Sequence, residues 1–219
     1  MSKQYIVLDL EFAKVSRSMK KRFGSGNEII QIGAVLLSED YSIIDQFKTF
    51  VAPVFGKLSS TIANLTGISK ADLGNAPDIR TALKAFSDWM PDEGDLEFIA
   101  WSDHDQKQLC HEIAFNDIED PRFDHPWRDS QAMFGEYMGE PDRKYGLQYV
   151  LCLTDLEGFD ENEHNALSDA YNTALLFAGL ETRNLKFNLH YRNAHQDDTK
   201  QALTCTLGDL FGEMLTGCA

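Results

Sequence analysis

The first apolar run of the chain is QYIVLDL, residues 4–10, and the acidic residue Glu11 follows it. This short run, rich in β-branched and aromatic side chains, is typical of a buried strand. Two further strands are predicted at 28–37 (EIIQIGAVLL) and 43–51 (IIDQFKTFV), joined by a polar turn at 38–40. Because short turns join antiparallel neighbours, the three strands are predicted to form an antiparallel meander.

The remainder of the chain alternates between strand and helix patterns. A fourth strand is predicted at 96–101, and helices are predicted at 59–65, 79–90, 105–115, 130–138, 147–153 and 164–180, with a final amphipathic helix at 203–215. A meander followed by alternating strands and helices predicts an α/β fold: a mixed β-sheet with added parallel strands, covered by helices.

Composition favours a single globular domain. The chain has 219 residues, of which 43% are hydrophobic and 25% are charged, and this excludes a disordered or collagen-like protein. No apolar stretch approaches the ~20 residues that a membrane span requires, and no signal-peptide pattern is seen, so we expect a cytoplasmic protein without a membrane partner. Four cysteines without a C-x-x-C pair indicate neither a zinc site nor a disulfide framework.

Charge is unevenly distributed along the chain. The net charge of -15 excludes a protein that coats nucleic acid non-specifically. Residues 13–27 nevertheless contain no acid, carry five cations that include Lys20, Lys21 and Arg22, and end in turn-forming residues. A basic loop is predicted there, either as solvated surface or as a phosphate clamp.

Two carboxylates, Asp9 and Glu11, lie at the end of the first strand. Residues two apart on a strand point to the same side, so these like charges are expected to converge. Such a pair is costly unless a proton or a cation joins it, and Mg²⁺ takes oxygen ligands of this kind. Alone, the D-x-E pattern is more typical of a solvated turn, so it needs further groups to indicate a metal site.

Further candidate groups follow later in the chain. Asp103 and Asp105 come after the fourth strand, where either could be a ligand or a helix cap. His164 and Asp169 are five residues apart, near one side of the helix predicted at 164–180, although a lone histidine on a helix is usually structural. Together the acids and the histidine suit two-metal hydrolysis of a phosphodiester, with two cations about 4 Å apart and histidine as general base.

The same order of residues occurs in a known family. The sequence blocks are VLDLEF at 7–12, EIIQIGAV at 28–35, LTGI at 65–68, AWSDHDQKQL at 100–109 and HNALSDAYNTA at 164–174. In these blocks the chain resembles the DEDDh 3′-to-5′ exonucleases of the DnaQ-like superfamily, which have a ribonuclease H-like fold. Eri-type RNA exonucleases and KapD-type sporulation inhibitors are the most similar in character. The resemblance covers about 4–180 and implies an exonuclease domain at 1–180, with a C-terminal extension at 181–219 packed on it.

The resemblance implies a role for each matching residue. Two Mg²⁺ or Mn²⁺ ions would be held by Asp9, Glu11, Asp105 and Asp169, with Glu11 also catalytic. Asp105 is chosen over Asp103 because the second acid of the family lies four residues before a helix leucine, here Leu109. His164 would be the general base, and Asn165 stands where tyrosine-type relatives have tyrosine. Contacts to the terminal nucleotide would come from Leu10, Phe12, Leu65 and Thr66.

The expected activity is therefore 3′-to-5′ hydrolysis of single-stranded nucleic acid from its 3′ end, with release of nucleoside 5′-monophosphates. RNA is favoured over DNA by the Eri-type resemblance. A regulatory protein-binding module with the same fold is one alternative, and an endonuclease of the same fold is another.

Overall fold

The central element is a six-stranded mixed sheet. The computed structural model describes residues 2–92, 94–154, 156, 158 and 165–188. The strands are β1 (Lys3–Val15), β2 (Asn27–Leu37), β3 (Ile43–Phe50), β4 (Gly56–Lys57), β5 (Asp95–Ala100) and β6 (Trp127–Asp129). In the order β3-β2-β1-β5-β6, the first three strands are antiparallel and β5 and β6 run parallel to β1. The predicted meander with parallel strands is confirmed.

Helices cover the sheet. They are α1 (Arg17–Phe23), α2 (Ser60–Thr66), α3 (Lys70–Gly74), α4 (Ile79–Trp89), α5 (Asp103–Phe115), α6 (Ser130–Tyr137), α7 (Leu147–Leu153) and α8 (Ala166–Glu181). Alternate residues of β1 face opposite layers: Tyr5 and Val7 pack with α8 residues, whereas Ile6 and Leu8 pack with α4 residues. None of the helices in the described ranges is long and apolar enough to cross a membrane.

The prediction of a basic loop at 13–27 is wrong for about the first two thirds of that range. The first strand continues to Val15, because Ala13 and Val15 are buried, and α1 follows at once. The Ser16 hydroxyl accepts a hydrogen bond from the Met19 N–H and begins the helix, and Gly24 ends it with a left-handed φ of 86°. The lysines and the arginine therefore lie on a short helix.

The starts of two functional helices also differ from the prediction. The cap of α5 is Ser102, so neither Asp103 nor Asp105 caps that helix. The helix predicted at 164–180 begins at Ala166 in the described residues, with Asn165 as its cap. His164 itself and the helix predicted at 203–215 lie outside the described residues.

A buried carboxylate pair joins α5 to the start of β2. Glu112 on α5 is 1% exposed and accepts hydrogen bonds from the Ile29 N–H at 2.6 Å and from Gln108 Nε2 at 2.9 Å. Its neighbour Glu28 accepts from the N–H groups of Val54 and Phe55. Burial, with a further contribution from the charge of Glu28, raises the pKa of Glu112 to about 7.

Replacing Glu112 with glutamine is expected to change how stability depends on pH. Because the native pKa lies above the unfolded value, the contribution of Glu112 is full below about pH 4.5 and is lost as pH rises through about 7. When the pH rises from 5 to 8, wild type should therefore lose on the order of 2 kcal/mol of unfolding free energy that the variant does not lose. Denaturant unfolding at both pH values tests this, with the exposed Glu136→Gln as control. Equal pH dependence in wild type and Glu112→Gln would contradict it.

Candidate active site

The alternation of β1 carries two carboxylates onto the α8 side of the sheet. Tyr5 and Val7 pack in the same cluster as Ala170 and Phe177 of α8. Asp9 and Glu11 are the next two odd-numbered residues, so they continue this row beyond its apolar part. A bulge in the pairing with β2 follows immediately, between Glu11 and Phe12. The predicted convergence of the two side chains is confirmed.

Asp169 completes a three-carboxylate cluster. It lies in the first turn of α8, where a negative charge is favourable at a helix N-terminus. One carboxylate oxygen each from Asp9, Glu11 and Asp169 lie within 4.8 Å of one another. All three residues are partly exposed, so a substrate or an ion can reach them.

Asp105 is the fourth carboxylate, and Asp103 is not part of the cluster. Asp105 is 7% exposed and lies beside the backbone of Leu10, the residue between the two β1 acids. Burial raises the pKa of Asp105 to about 7, and the charge of Asp169 adds to the effect. Asp103 points away to the surface, where its exposed carboxylate pairs with Lys107.

The cluster is electrostatically strained without a counter-charge. Burial is the main cause that raises the pKa of Asp9 well above its usual range, followed by the charges of Asp105, Asp169 and Glu11. Burial likewise raises the pKa of Glu11, followed by Asp169 and Asp105. Four oxygen-bearing groups that repel one another fit a divalent cation, which would relieve the repulsion.

Two residues of β2 fix the start of α8. Gln31, 1% exposed and paired with Glu11 in the sheet, accepts a hydrogen bond from the Ala166 N–H at 2.8 Å. Gly33, paired with Asp9, has the helix backbone directly over it: a Cβ there would lie 2.1 Å from the Ala166 carbonyl carbon. This close approach brings Asp169 to the β1 acids.

These two positioning residues were not among the predicted site residues. The signals were present, because a glutamine and a glycine interrupt the otherwise apolar buried strand EIIQIGAVLL. A glycine inside a strand often marks the close approach of another backbone. The partner of that approach could not be named, because it lies more than 130 residues further along the chain.

Gly33→Ala is expected to displace the N-terminus of α8. The added methyl group overlaps backbone atoms that cannot rotate away, so we expect a loss of about 1–3 kcal/mol in unfolding free energy. The rate of hydrolysis should fall even at a temperature where the variant remains folded, because Asp169 moves with the helix. Urea unfolding and initial rates test this. Gly74→Ala, where a Cβ meets nothing within 4 Å, is the matched control, and equal behaviour of the two variants would contradict the prediction.

The predicted nucleotide contacts are in different states of exposure. Phe12 is partly exposed, and its ring meets the His104 ring edge-on at 5.2 Å between centroids. Leu65 is also partly exposed, on the last turn of α2. Leu10 is buried in the α4-side core. The buried Thr66 hydroxyl donates to the Ile62 carbonyl and accepts from the Ile68 N–H.

A side chain of α7 also contacts the carboxylate cluster. Gln148 of α7 places Nε2 at 3.5 Å from Asp169 Oδ1, a contact that no motif predicted. Lys20, Lys21 and Arg22 are exposed on the last turn of α1, which follows β1.

The family model described as Exonuclease matches residues 6–177, a segment that contains all four carboxylates. This chain belongs to the exonuclease family. The family is divalent-metal dependent, in agreement with the acidic cluster. The predicted DEDDh resemblance is confirmed at this level.

Curated relatives extend the match. ERI1 exoribonuclease 2 of Danio rerio is 29% identical over 193 residues, covering 78% of this chain and 34% of that protein. DNA polymerase III PolC-type of Staphylococcus haemolyticus is 38% identical over 96 residues, covering 44% of this chain and 6% of that protein. The exonuclease chain thus spans about a third or less of the length of these relatives.

Solved structures share the fold. A full-length 3′-exonuclease superposes with a TM-score of 0.70 at 20% identity, covering 84% of this chain and 85% of that one. Exonuclease I superposes with a TM-score of 0.63 at 13% identity, covering 88% of this chain and 44% of that one. The predicted ribonuclease H-like fold is therefore confirmed.

Proposed function

We propose that this chain is a metal-dependent 3′-to-5′ exonuclease that releases nucleoside 5′-monophosphates from single-stranded nucleic acid, with RNA favoured over DNA. The observation that carries the proposal is the convergence of Asp9, Glu11 and Asp169 within 4.8 Å, with the buried Asp105 behind them. Membership of the exonuclease family and similarity to ERI1 exoribonucleases support the reaction and the preference for RNA.

The four carboxylates would hold two Mg²⁺ or Mn²⁺ ions. Bound divalent ions supply charge stabilisation in phosphodiester hydrolysis and lower the pKa of water. Asp9, Glu11, Asp105 and Asp169 would orient these ions, and β1, α5 and α8 hold the carboxylates in place before substrate arrives. The raised pKa values of Asp9 and Glu11 imply that protons leave these groups when the ions bind.

The remaining residues would bind substrate and move a proton. His164, which precedes Asn165 in sequence, would take the proton of the attacking water. Phe12 and Leu65, both partly exposed, would contact the terminal base. Leu10 and Thr66 are buried, so their part would be to present backbone groups beside it. Phosphates would meet Lys20, Lys21 and Arg22.

Domain limits of 1–180 and 181–219 are part of the proposal. Support for packing of the extension on the domain comes from its described beginning. Leu185 is 8% exposed among residues of α6, α7 and α8, and Phe187 pairs with Thr154 at the end of α7. The cytoplasmic location stays a prediction.

The proposed function is tested by a time course on matched 5′-labelled RNA and DNA oligomers in Mn²⁺. Single-nucleotide shortening, faster for RNA and abolished by EDTA, is expected. A folded protein that degrades neither strand would favour the regulatory binding module instead. Cleavage of a circular single strand would favour the endonuclease, because a circle has no 3′ end.

Changing Lys20, Lys21 and Arg22 together to glutamate is expected to raise KM about tenfold or more at 0.1 M salt while kcat changes little. Phosphate contacts of this kind bind substrate and transition state equally. The slope of log kcat/KM against log salt concentration should become less steep by about 2, because each phosphate contact on a single strand contributes roughly 0.7 to that slope. The same charge change on the exposed Lys70, Lys84 and Lys144 is the control. An unchanged slope in the α1 variant would show that α1 does not contact substrate.

A further inference from the structure

A positively charged surface formed by α1 and by Lys14 at the end of β1 has no acidic partner in the described part of the chain. The ion pairs among the described residues involve none of its five cations, Lys14, Arg17, Lys20, Lys21 and Arg22. The whole chain carries a net charge of -15, so acids to pair with them are abundant. Cations left unpaired on such an acidic protein favour an external anion.

Contacts connect this surface to the carboxylate cluster through the segment between α1 and β2. His104, one residue before Asp105, lies edge-on to Phe12 and places Nε2 at 3.2 Å from Asn27 Nδ2. The Lys14 ammonium donates to Asn27 Oδ1 at 3.0 Å. Further along, Gln108 of α5 donates to the Asn27 carbonyl and accepts from the Ser25 hydroxyl. Residues 24–27 therefore connect α1 to α5. We call the surface that runs along α1, residues 24–27 and α5 to the side chains of Val54, Phe55 and Phe115 the α1–α5 seam.

The far end of the seam is aromatic and partly exposed. Phe55 stacks on the buried Phe23 at 4.9 Å, and Phe115 meets both rings edge-on. The Arg22 guanidinium lies 5.6 Å above the Phe55 ring. Phe115 is 37% exposed and the adjoining Val54 is 73% exposed.

Unpaired cations next to exposed aromatic rings are the features by which proteins bind single strands without reading their sequence. Phosphates meet the cations, and bases stack on aromatic or guanidinium planes. A double helix fits less well, because its bases are already stacked on each other and offer no free face to Phe115. The contacts thus favour one occupant, a single strand leaving the carboxylate cluster.

We propose that the α1–α5 seam binds the nucleotides upstream of the scissile bond and that a base contacts Phe115, Val54 and Arg22 at its far end. This inference rests on the proposed exonuclease function and names where its substrate runs. Ten residues of α5 separate Asp105 from Phe115, which is about 15 Å at 1.5 Å per residue. With stacked nucleotides about 3.4 Å apart, the aromatic end is reached about four nucleotides from the 3′ end.

The test is the ratio of kcat/KM for an RNA octamer to kcat/KM for an RNA dinucleotide. Phe115→Ser should lower this ratio about 5- to 100-fold, the range expected for one stacked base. Val54→Asp should lower it as well through repulsion of the strand, and its high exposure makes unfolding no explanation. Tyr137→Ala, an equally exposed aromatic on α6, is the control and should leave the ratio unchanged.

An unchanged ratio in both seam variants would overturn the proposal. This holds whether kcat/KM stays the same on both substrates or falls equally on both. If the wild-type protein hydrolyses neither substrate, the proposed exonuclease function is wrong. The proposal that the seam binds RNA is then tested by a binding measurement. For this, the Kd of a fluorescent RNA octamer is measured by anisotropy in an Asp9→Asn background. A Kd raised about 5- to 100-fold by Phe115→Ser supports the seam, and an unchanged Kd refutes it.

Discussion

Replacing Asp9 with asparagine is expected to lower kcat about 10³- to 10⁴-fold, because bound cations contribute several kcal/mol of charge stabilisation that depends on their ligands. Asp105→Asn should behave alike. Asp103→Asn, which changes an acid two residues away that pairs with Lys107 at the surface, should keep nearly full activity. Initial rates in Mn²⁺ with saturating RNA measure the difference.

The same Asp9 variant should be at least as stable as wild type when no metal is present. The pKa of Asp9 is raised in the native state, so its contribution to stability is lost as pH rises through that native value. Thermal unfolding in EDTA at pH 8 should therefore give an equal or higher Tm for Asp9→Asn. Adding Mn²⁺ should raise the Tm of wild type much more than that of the variant, since a ligand that binds only the native state stabilises it. Full activity of Asp9→Asn, or an equal loss in Asp103→Asn, would remove the cluster from the mechanism.

His164→Ala is expected to lower kcat about 10²- to 10⁴-fold while the rise in Tm caused by Mn²⁺ persists, because a general base is not itself a ligand. Histidine suits this role because its ordinary pKa of about 6.5 allows it to accept a proton near neutrality. The wild-type pH–rate profile should have an acid limb that the variant loses or displaces. The partly buried His125, which lies beside Phe98, provides the control substitution to alanine.

Ionisation of water on a bound cation could also produce an acid limb, so the variant decides between the two origins. A profile of unchanged shape, with only a modest loss of rate and intact metal affinity, would assign His164 a structural role.

Local patterns in the sequence predicted four of the six strands and most of the carboxylate cluster, but not the short strands β4 and β6. The alternation of β1 placed Asp9 and Glu11 on one side because side-chain direction in a strand depends only on sequence parity. Asp105 was separated from Asp103 by resemblance rather than by local reasoning, since both acids follow the same strand. The structure separates them, because Asp105 is buried beside the Leu10 backbone whereas Asp103 pairs with Lys107 at the surface.

Features that depend on distant contacts were missed. The charged stretch after Glu11 resembles a loop, but burial of Val15 and Phe23 makes it strand and helix. The positioning roles of Gln31 and Gly33 arise only once α8 lies across β2. Periodicity within either element carries no information about that crossing.

The most direct test of the central claim is the direction and the product of degradation. The same linear RNA is labelled at either end, incubated with the protein and Mn²⁺, and resolved at single-nucleotide length while nucleotides are identified by chromatography. Hydrolysis from the 3′ end predicts that the 5′-labelled strand shortens in a ladder, that the 3′ label appears at once in a mononucleotide, and that the products are nucleoside 5′-monophosphates. Internal fragments from either label at early times, or a ladder that starts from the 5′ end, would contradict the account.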